Sequence, residues 1–151
     1  MDEAAFRAAR VRVTEYACVF EKSLLARCAD CRLAARHALA EREAIGCQSP
    51  VARANCGTLY AILRERSTFA LKFSRPSAPL PDALTMRLQC GGLAGLASAL
   101  TAGKLGNVHT NDVHALVTAA RDRYGALTDL PWPEIVAAVV VWQGRRQQRP
   151  R

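Results

Sequence analysis

Along this chain the apolar positions recur mainly at helical spacing. Positions 6, 10, 13 and 17 fall on one face of a helix running from Glu3 to Ala17. Val11 to Tyr16 also alternates, as a short strand would, but flanking alanines and the lack of a partner strand favour helix. From Glu21 to Ile45 a stripe of Leu24, Leu25, Leu33, Ala34, Ala38 and Ile45 stands against a polar face of Lys22, Arg27, Arg32, Arg36, Glu41, Arg42 and Glu43. This pattern predicts one long helix, capped by a left-handed Gly46, with Cys47 and Gln48 in the turn. Ser49-Pro50 starts the next helix, a hydroxyl N-cap before a proline whose missing N–H costs nothing there. Its stripe is Leu59, Ile62, Leu63, Phe69, Ala70 and Phe73, and it ends near Phe73. Together the two predict an αα-hairpin.

Residues 74–81 carry three prolines and read as a stiff connection within one domain, because the roughly 70 residues beyond are few for an independent core. Asp82 to Leu100 predicts a third helix through Leu84, Leu88, Leu93, Leu96 and Leu100. Gly91, Gly92 and Gly95 either kink it or let another helix approach closely, and Gly103 and Gly106 end it. Thr110 or Asn111 caps a fourth helix with Val113, Leu116, Val117, Ala120 and Tyr124 on one face, closed by Gly125. Pro131-Trp132-Pro133-Glu134 begins a fifth. Its body, Ile135 to Trp142, is apolar all round, which means a fully buried helix or a strand, and the proline-rich start favours helix. The expected fold is therefore all-α. It is a single domain over 1–151: a compact bundle of about five helices with a cysteine-rich helical hairpin in 1–73, helices in 82–143 and a basic tail in 144–151.

Charge narrows the partners. The formal net charge is +8, spread along the chain apart from Arg145, Arg146, Arg149 and Arg151. A spread excess reads as a solvated surface, so nucleic acid is a possible but unfavoured partner, and the arginine tail reads as solubilising. The acidic N-terminus does not resemble a secretory signal, and Ile135–Trp142 falls far short of the ~20 apolar residues of a membrane span. These features predict a cytoplasmic protein whose six cysteines are thiols rather than three disulfides.

Those cysteines carry the chemistry. Five fall at Cys18, Cys28, Cys31, Cys47 and Cys56, spaced C-x9-C-x2-C-x15-C-x8-C, and Cys90 precedes Gly91-Gly92. At i and i+3 of a helix, Cys28 and Cys31 share a face, and Arg27 and Arg32 beside them favour thiolates. Cys47 in a turn can be aimed freely, and Cys56 lies on the inward stripe with Leu59 and Leu63. The predicted ligand set is Cys28, Cys31, Cys47 and Cys56, with Cys18 the first replacement for Cys28. Structural zinc sites present two short C-x2-4-C knuckles and this chain has one, so a 4Fe-4S cluster is preferred to zinc. A straight helix from Leu33 to Ile45 would hold Cys31 and Cys47 ~24 Å apart. A single site therefore needs a break near Arg36-His37 or Ala44-Gly46; otherwise Cys18, Cys28, Cys31 and Cys90 become the set to consider.

Other constellations are weaker. His37 reads as a surface histidine before a ligand. Cys90 reads as a core thiol over the metal site before a nucleophile served by His109 or His114. No paired carboxylates or phosphate-binding glycine loop emerge. The expected function is an iron–sulfur protein in electron transfer, or an accessory subunit of a redox complex, rather than a catalyst. The alternatives are a zinc-stabilised adaptor with a basic partner-binding surface and a nucleic-acid-binding redox sensor.

Overall fold

Helix α1 (Glu3–Val13) begins at Asp2, whose carboxylate accepts a hydrogen bond from the Ala5 N–H at 2.7 Å. The computed structural model describes residues 2–73, 79–101 and 111–144, and it is mostly helical with one two-stranded sheet. The expected linker core at 74–78 and the tail arginines Arg145, Arg146, Arg149 and Arg151 lie outside the described residues. Phe6 and Ala9 bury one face of α1. The helix stops four residues earlier than its periodicity predicts, because residues 16–18 leave it to pair along a strand edge.

The predicted 21–45 helix does not form. Only α2 (Glu21–Leu25) is helical, and it closes with Arg27 in the left-handed region at φ +61°. There the Cys28 N–H reaches the Ser23 carbonyl and the Arg27 N–H the Leu24 carbonyl, so the last carbonyls are satisfied by a Schellman-type wrap. The chain then forms an antiparallel hairpin of β1 (Ala34–Leu39) and β2 (Arg42–Cys47), in register from Ala34 opposite Cys47 to Leu39 opposite Arg42. A two-residue turn, Ala40-Glu41, joins them, with Ala40 at φ +55°. The physical reason is non-local. The far edge of β2 is also paired, the Cys18 N–H to the Ile45 carbonyl (2.9 Å) and the Cys47 N–H to the Tyr16 carbonyl (2.6 Å). Glu21 adds a third tie, accepting from the Ile45 N–H at 2.9 Å while its other oxygen pairs with Arg10 at 3.0 Å. Long-range pairing thus outweighs a helix propensity of a few tenths of a kcal/mol per residue. Gly46 is not a helix cap but a strand residue. A Cβ there would meet the Tyr16 carbonyl oxygen at 3.3 Å, which explains a small residue where the two segments touch.

Helix α3 (Pro50–Leu71) starts as its sequence predicts, with Ser49 Oγ accepting from the Ala52 N–H at 3.1 Å. Leu59, Leu63 and Ser67 face the core, but Phe69 is 95% exposed, so the apolar stripe does not extend to the helix end. The expected αα-hairpin is therefore a β-hairpin followed by one long helix.

The C-terminal half follows its prediction closely. α4 (Asp82–Met86), a π-helical turn (Arg87–Gly91) and α5 (Gly92–Thr101) run on as one helix. α6 (Val113–Tyr124) buries Val113, Leu116, Val117 and Ala120, and α7 (Trp132–Val141) is helix rather than strand. It is one-faced, with Ile135 and Val139 buried but Val141 68% exposed. Arg87 donates to the Trp142 and Val140 carbonyls at the end of α7, and Arg123 to those of Ala99 and Leu100 at the end of α5. Among the described residues no helix is long and apolar enough to cross a membrane.

The interrupting glycines serve close approach. A Cβ on Gly91 would lie 2.9 Å from Val139 Cα, and one on Gly95 2.8 Å from Ala138 Cβ and 3.0 Å from Ile135 Cα, so α7 rests on the backbone of the π-turn and α5. Gly95→Ala should force the helices apart and lower stability by about 1–3 kcal/mol, the usual cost of overpacking. Urea unfolding monitored by circular dichroism measures this, and an unchanged midpoint would mean that the crossing is loose.

Candidate functional site

The extended segment 16–18, strand β2 and the loop before β1 lie side by side, and α3 begins just beyond them. This places Cys18, Cys31, Cys47 and Cys56, contributed by four different segments, around one cavity. All four are free thiols of intermediate burial. Val19, Phe20, Leu33, Ala34, Gly46, Ala52, Arg53, Val113 and His114 complete the lining of a small cavity of ≈ 20 Å³ that opens to solvent. Arg53 fixes α3 to the cysteine segment by donating from Nε to the Ala17 carbonyl at 2.7 Å.

Each cysteine is held by local structure. Cys18 sits on the far edge of β2, its N–H bonded to the Ile45 carbonyl, and Cys47 ends β2 between that segment and Ala34 of β1. Cys56 faces inward near the start of α3. Cys31 follows a short backbone pairing: the Asp30 N–H binds the Asn111 carbonyl at 2.9 Å and the Val113 N–H binds the Asp30 carbonyl at 2.8 Å. Asp112 accepts from the Arg32 N–H at 3.1 Å, so the loop around Cys31 is docked on the start of α6 from both sides.

Backbone N–H groups point at two of the sulfurs, that of Phe20 at Cys18 and those of Leu33 and His114 at Cys31. Such donors favour the thiolate form. Burial acts the other way and dominates. It pushes Cys56 up to about 12 and Cys18 up to about 11, with the neighbouring cysteine charges adding to the rise, and it raises Cys31 as well. The burial cost therefore favours the protonated form at Cys18, Cys31 and Cys56. Cys47 donates its thiol proton to the Ser49 carbonyl at 3.2 Å. A bound cation would reverse this balance, because it stabilises thiolates directly.

Cys28 does not join the cavity, which corrects the predicted ligand set. It forms a disulfide with Cys90, 62 residues away in sequence, so Cys90 is neither a free core thiol nor a nucleophile. The reason lies in the C-cap of α2. The left-handed turn at Arg27 breaks the helix on which Cys28 and Cys31 would have shared a face, and the two sulfurs go to different places. Cys31, Cys47, Cys56 and Cys18 are brought together, Cys18 standing where Cys28 was expected. His37 lies on β1 opposite Ala44 and does not line the cavity, and His109 lies outside the described residues. As the side chains stand, no three His, Cys, Asp or Glu residues among those described form a group that could hold a metal ion.

Two features of the site carried little signal in the sequence. The N–H donors at Phe20 and Leu33 lie two residues after a cysteine, a spacing visible in the chain, whereas the His114 donor depends wholly on docking of α6. The Cys28–Cys90 pairing also had no local signature.

The raised thiols make a pH prediction. Unfolded thiols ionise near 9.0, while Cys18 and Cys56 in the folded chain hold their protons to about 11 and about 12. Between those limits the unfolded state loses protons first, so the metal-free protein should lose stability as pH rises above about 9. Its urea midpoint should fall from pH 8 to pH 10.5, and the fall should shrink in Cys18→Ala/Cys56→Ala. An equal fall in both would assign the effect to other groups. No protein-family model, curated protein or solved structure matches this chain.

Proposed function

We propose that this chain is a small iron–sulfur protein that holds a cluster, 4Fe-4S in preference to smaller ones, on Cys18, Cys31, Cys47 and Cys56. It would serve electron transfer or act as an accessory subunit of a redox complex, with a redox protein as partner. The observation that carries this reading is the convergence of four free thiols from four segments on one cavity, with N–H donors aimed at two of the sulfurs. Hydrogen bonds to cluster sulfurs and burial are the means by which a protein sets a cluster's potential. A cytoplasmic setting would keep four unpaired thiols reduced and would expose the Cys28–Cys90 disulfide to dithiol reductants.

A zinc site on the same four thiols is the second reading, supported by the same donor set. The arrangement fits a cluster better on one count. One tetrahedral ion needs four sulfurs about 2.3 Å from a single point, whereas a cluster binds each sulfur to a separate iron and asks for less convergence. Either centre requires the side chains to rearrange from where they stand.

Anaerobic reconstitution with iron and sulfide separates the readings. The expected product is brown, with broad visible absorption and ~4 iron and ~4 sulfide per chain. Changing any one of Cys18, Cys31, Cys47 or Cys56 to Ser should abolish or shift that absorption and lower the melting temperature, because metal-binding energy is folding energy. A colourless protein with one tightly bound zinc would establish the second reading, and no retained metal of either kind would leave the thiols as core filler.

A further inference from the structure

We propose that the π-helical turn Arg87–Gly91 is a two-armed clamp on the cysteine cavity, and that its Cys28–Cys90 arm is a redox latch released by a dithiol. The inference deepens the reading above by naming how the same site is regulated.

Two neighbouring residues of the turn reach the two segments that carry Cys18 and Cys31. Gln89 is buried, only 4% exposed, and both ends of its carboxamide are bonded. Oε1 accepts from the Ser23 N–H at 3.0 Å, and Nε2 donates to the Val19 carbonyl at 3.1 Å. These bonds fix the turn between Cys18 and α2, the turn whose Phe20 N–H is aimed at the Cys18 sulfur. The next residue, Cys90, binds Cys28, three residues before Cys31. A π-turn inserts an extra residue into a helix and redirects its side chains, a device common at functional sites. Here it serves adjacent residues that hold separate segments.

The arms differ chemically. The Gln89 arm is permanent. The Cys90 arm is a covalent bond that thiol chemistry can open, and its ends differ in access: Cys90 is buried at 3% exposure, whereas Cys28 is half-buried at the end of α2. A dithiol reductant would therefore attack at Cys28. Its thiolate bonds to the Cys28 sulfur, the Cys28–Cys90 bond breaks, and Cys90 leaves as a thiolate that takes a proton. The second thiol of the reductant then displaces Cys28. The products are two protein thiols and one oxidised reductant, a two-electron, two-proton exchange. Once cut, residues 28–31 keep the Cys28 and Ala29 N–H bonds to the Ser23 carbonyl, the Asp30 pairing to Asn111 and Val113, and the bond from the Ala34 N–H to the Cys31 carbonyl, but lose their one covalent tie to the π-turn. Cys31 follows Cys28 by three residues, and its hold on the cavity is what the latch controls.

The first test uses the metal-free full chain and does not depend on any cluster. Differential alkylation followed by peptide mass spectrometry should find Cys28 and Cys90 protected as isolated and both free after dithiothreitol. On that reduction the alkylation rate of Cys31 should rise at least ~10-fold, while those of Cys47 and Cys56, held by β2 and α3, change less than ~2-fold. Cys90→Ala should reproduce the fast Cys31 rate without reductant. Gln89→Leu should instead speed Cys18. If Cys28 and Cys90 are already thiols as isolated, or if Cys31 reacts at the same rate before and after reduction, the latch is overturned. The second test reconstitutes the chain with iron and sulfide. Release of iron to a chelator should be faster in reduced than in oxidised protein. Failure to bind any metal would overturn the iron–sulfur reading and leave the latch to the alkylation result, whereas equal release rates from a loaded protein would overturn control of the site by the latch.

Discussion

Strand β2 is paired along both edges, and the rest of the molecule's N-terminal half depends on that. One edge takes β1, and the other takes the short extended segment from Tyr16 to Cys18. The first pairing turns the chain back so that Cys47 returns to within three residues of Cys31. The second lays Cys18 beside Cys47. A helix through the same residues would have spread Cys31 and Cys47 over ~24 Å and left no common site. Two backbone ladders a few residues long therefore decide whether the cysteines can act together.

The C-terminal half supplies rigidity. Gly91 and Gly95 let α7 lie directly on the π-turn and α5, and Gly92 leaves room for Leu63 of α3. Phe20, Leu24 and Ile45 from the cysteine-bearing half join Leu59, Leu88, Leu96, Leu116 and Ile135 in one buried cluster. The cavity is thus built on the rim of a packed core. Its Cys31 side is docked on α6 through Asp30 and Asp112, and its Cys18 side on the π-turn through Gln89.

Electrostatics give the site its tension. Burial raises Cys18 and Cys56 well above the ordinary thiol range and raises Cys31 as well, while N–H groups from Phe20, Leu33 and His114 oppose that rise at Cys18 and Cys31. Thiols that are costly to ionise alone, yet already supplied with donors for the ionised form, are suited to a cation that neutralises them together. A basic chain of net charge +8 is also suited to acidic partners, through a general field rather than a defined patch.

The sequence by itself determined the elements whose signals are local. The Ser49-Pro50 start, the stripe of α6, the helix through three glycines and the proline-led α7 follow from capping chemistry and period, and these survived folding. Four of the five cysteines before residue 57 line one cavity, and three of them, Cys31, Cys47 and Cys56, belong to the expected ligand set. Tertiary structure decided the rest. Residues 34–44 are mostly good helix formers, and the turn at Ala40-Glu41 has no Asn-Gly or Gly signal, so nothing local marks the hairpin. Ala40 accepts a left-handed conformation only because both flanking strands are paired. Likewise Arg27 occupies a position that glycine usually fills, and the turn it makes is what separates Cys28 from Cys31. Which cysteine meets which was settled by contacts between residues far apart in sequence, Tyr16 with Cys47 and Cys28 with Cys90. Such contacts gain their energy only once the whole core has closed around them, so no window of sequence records them.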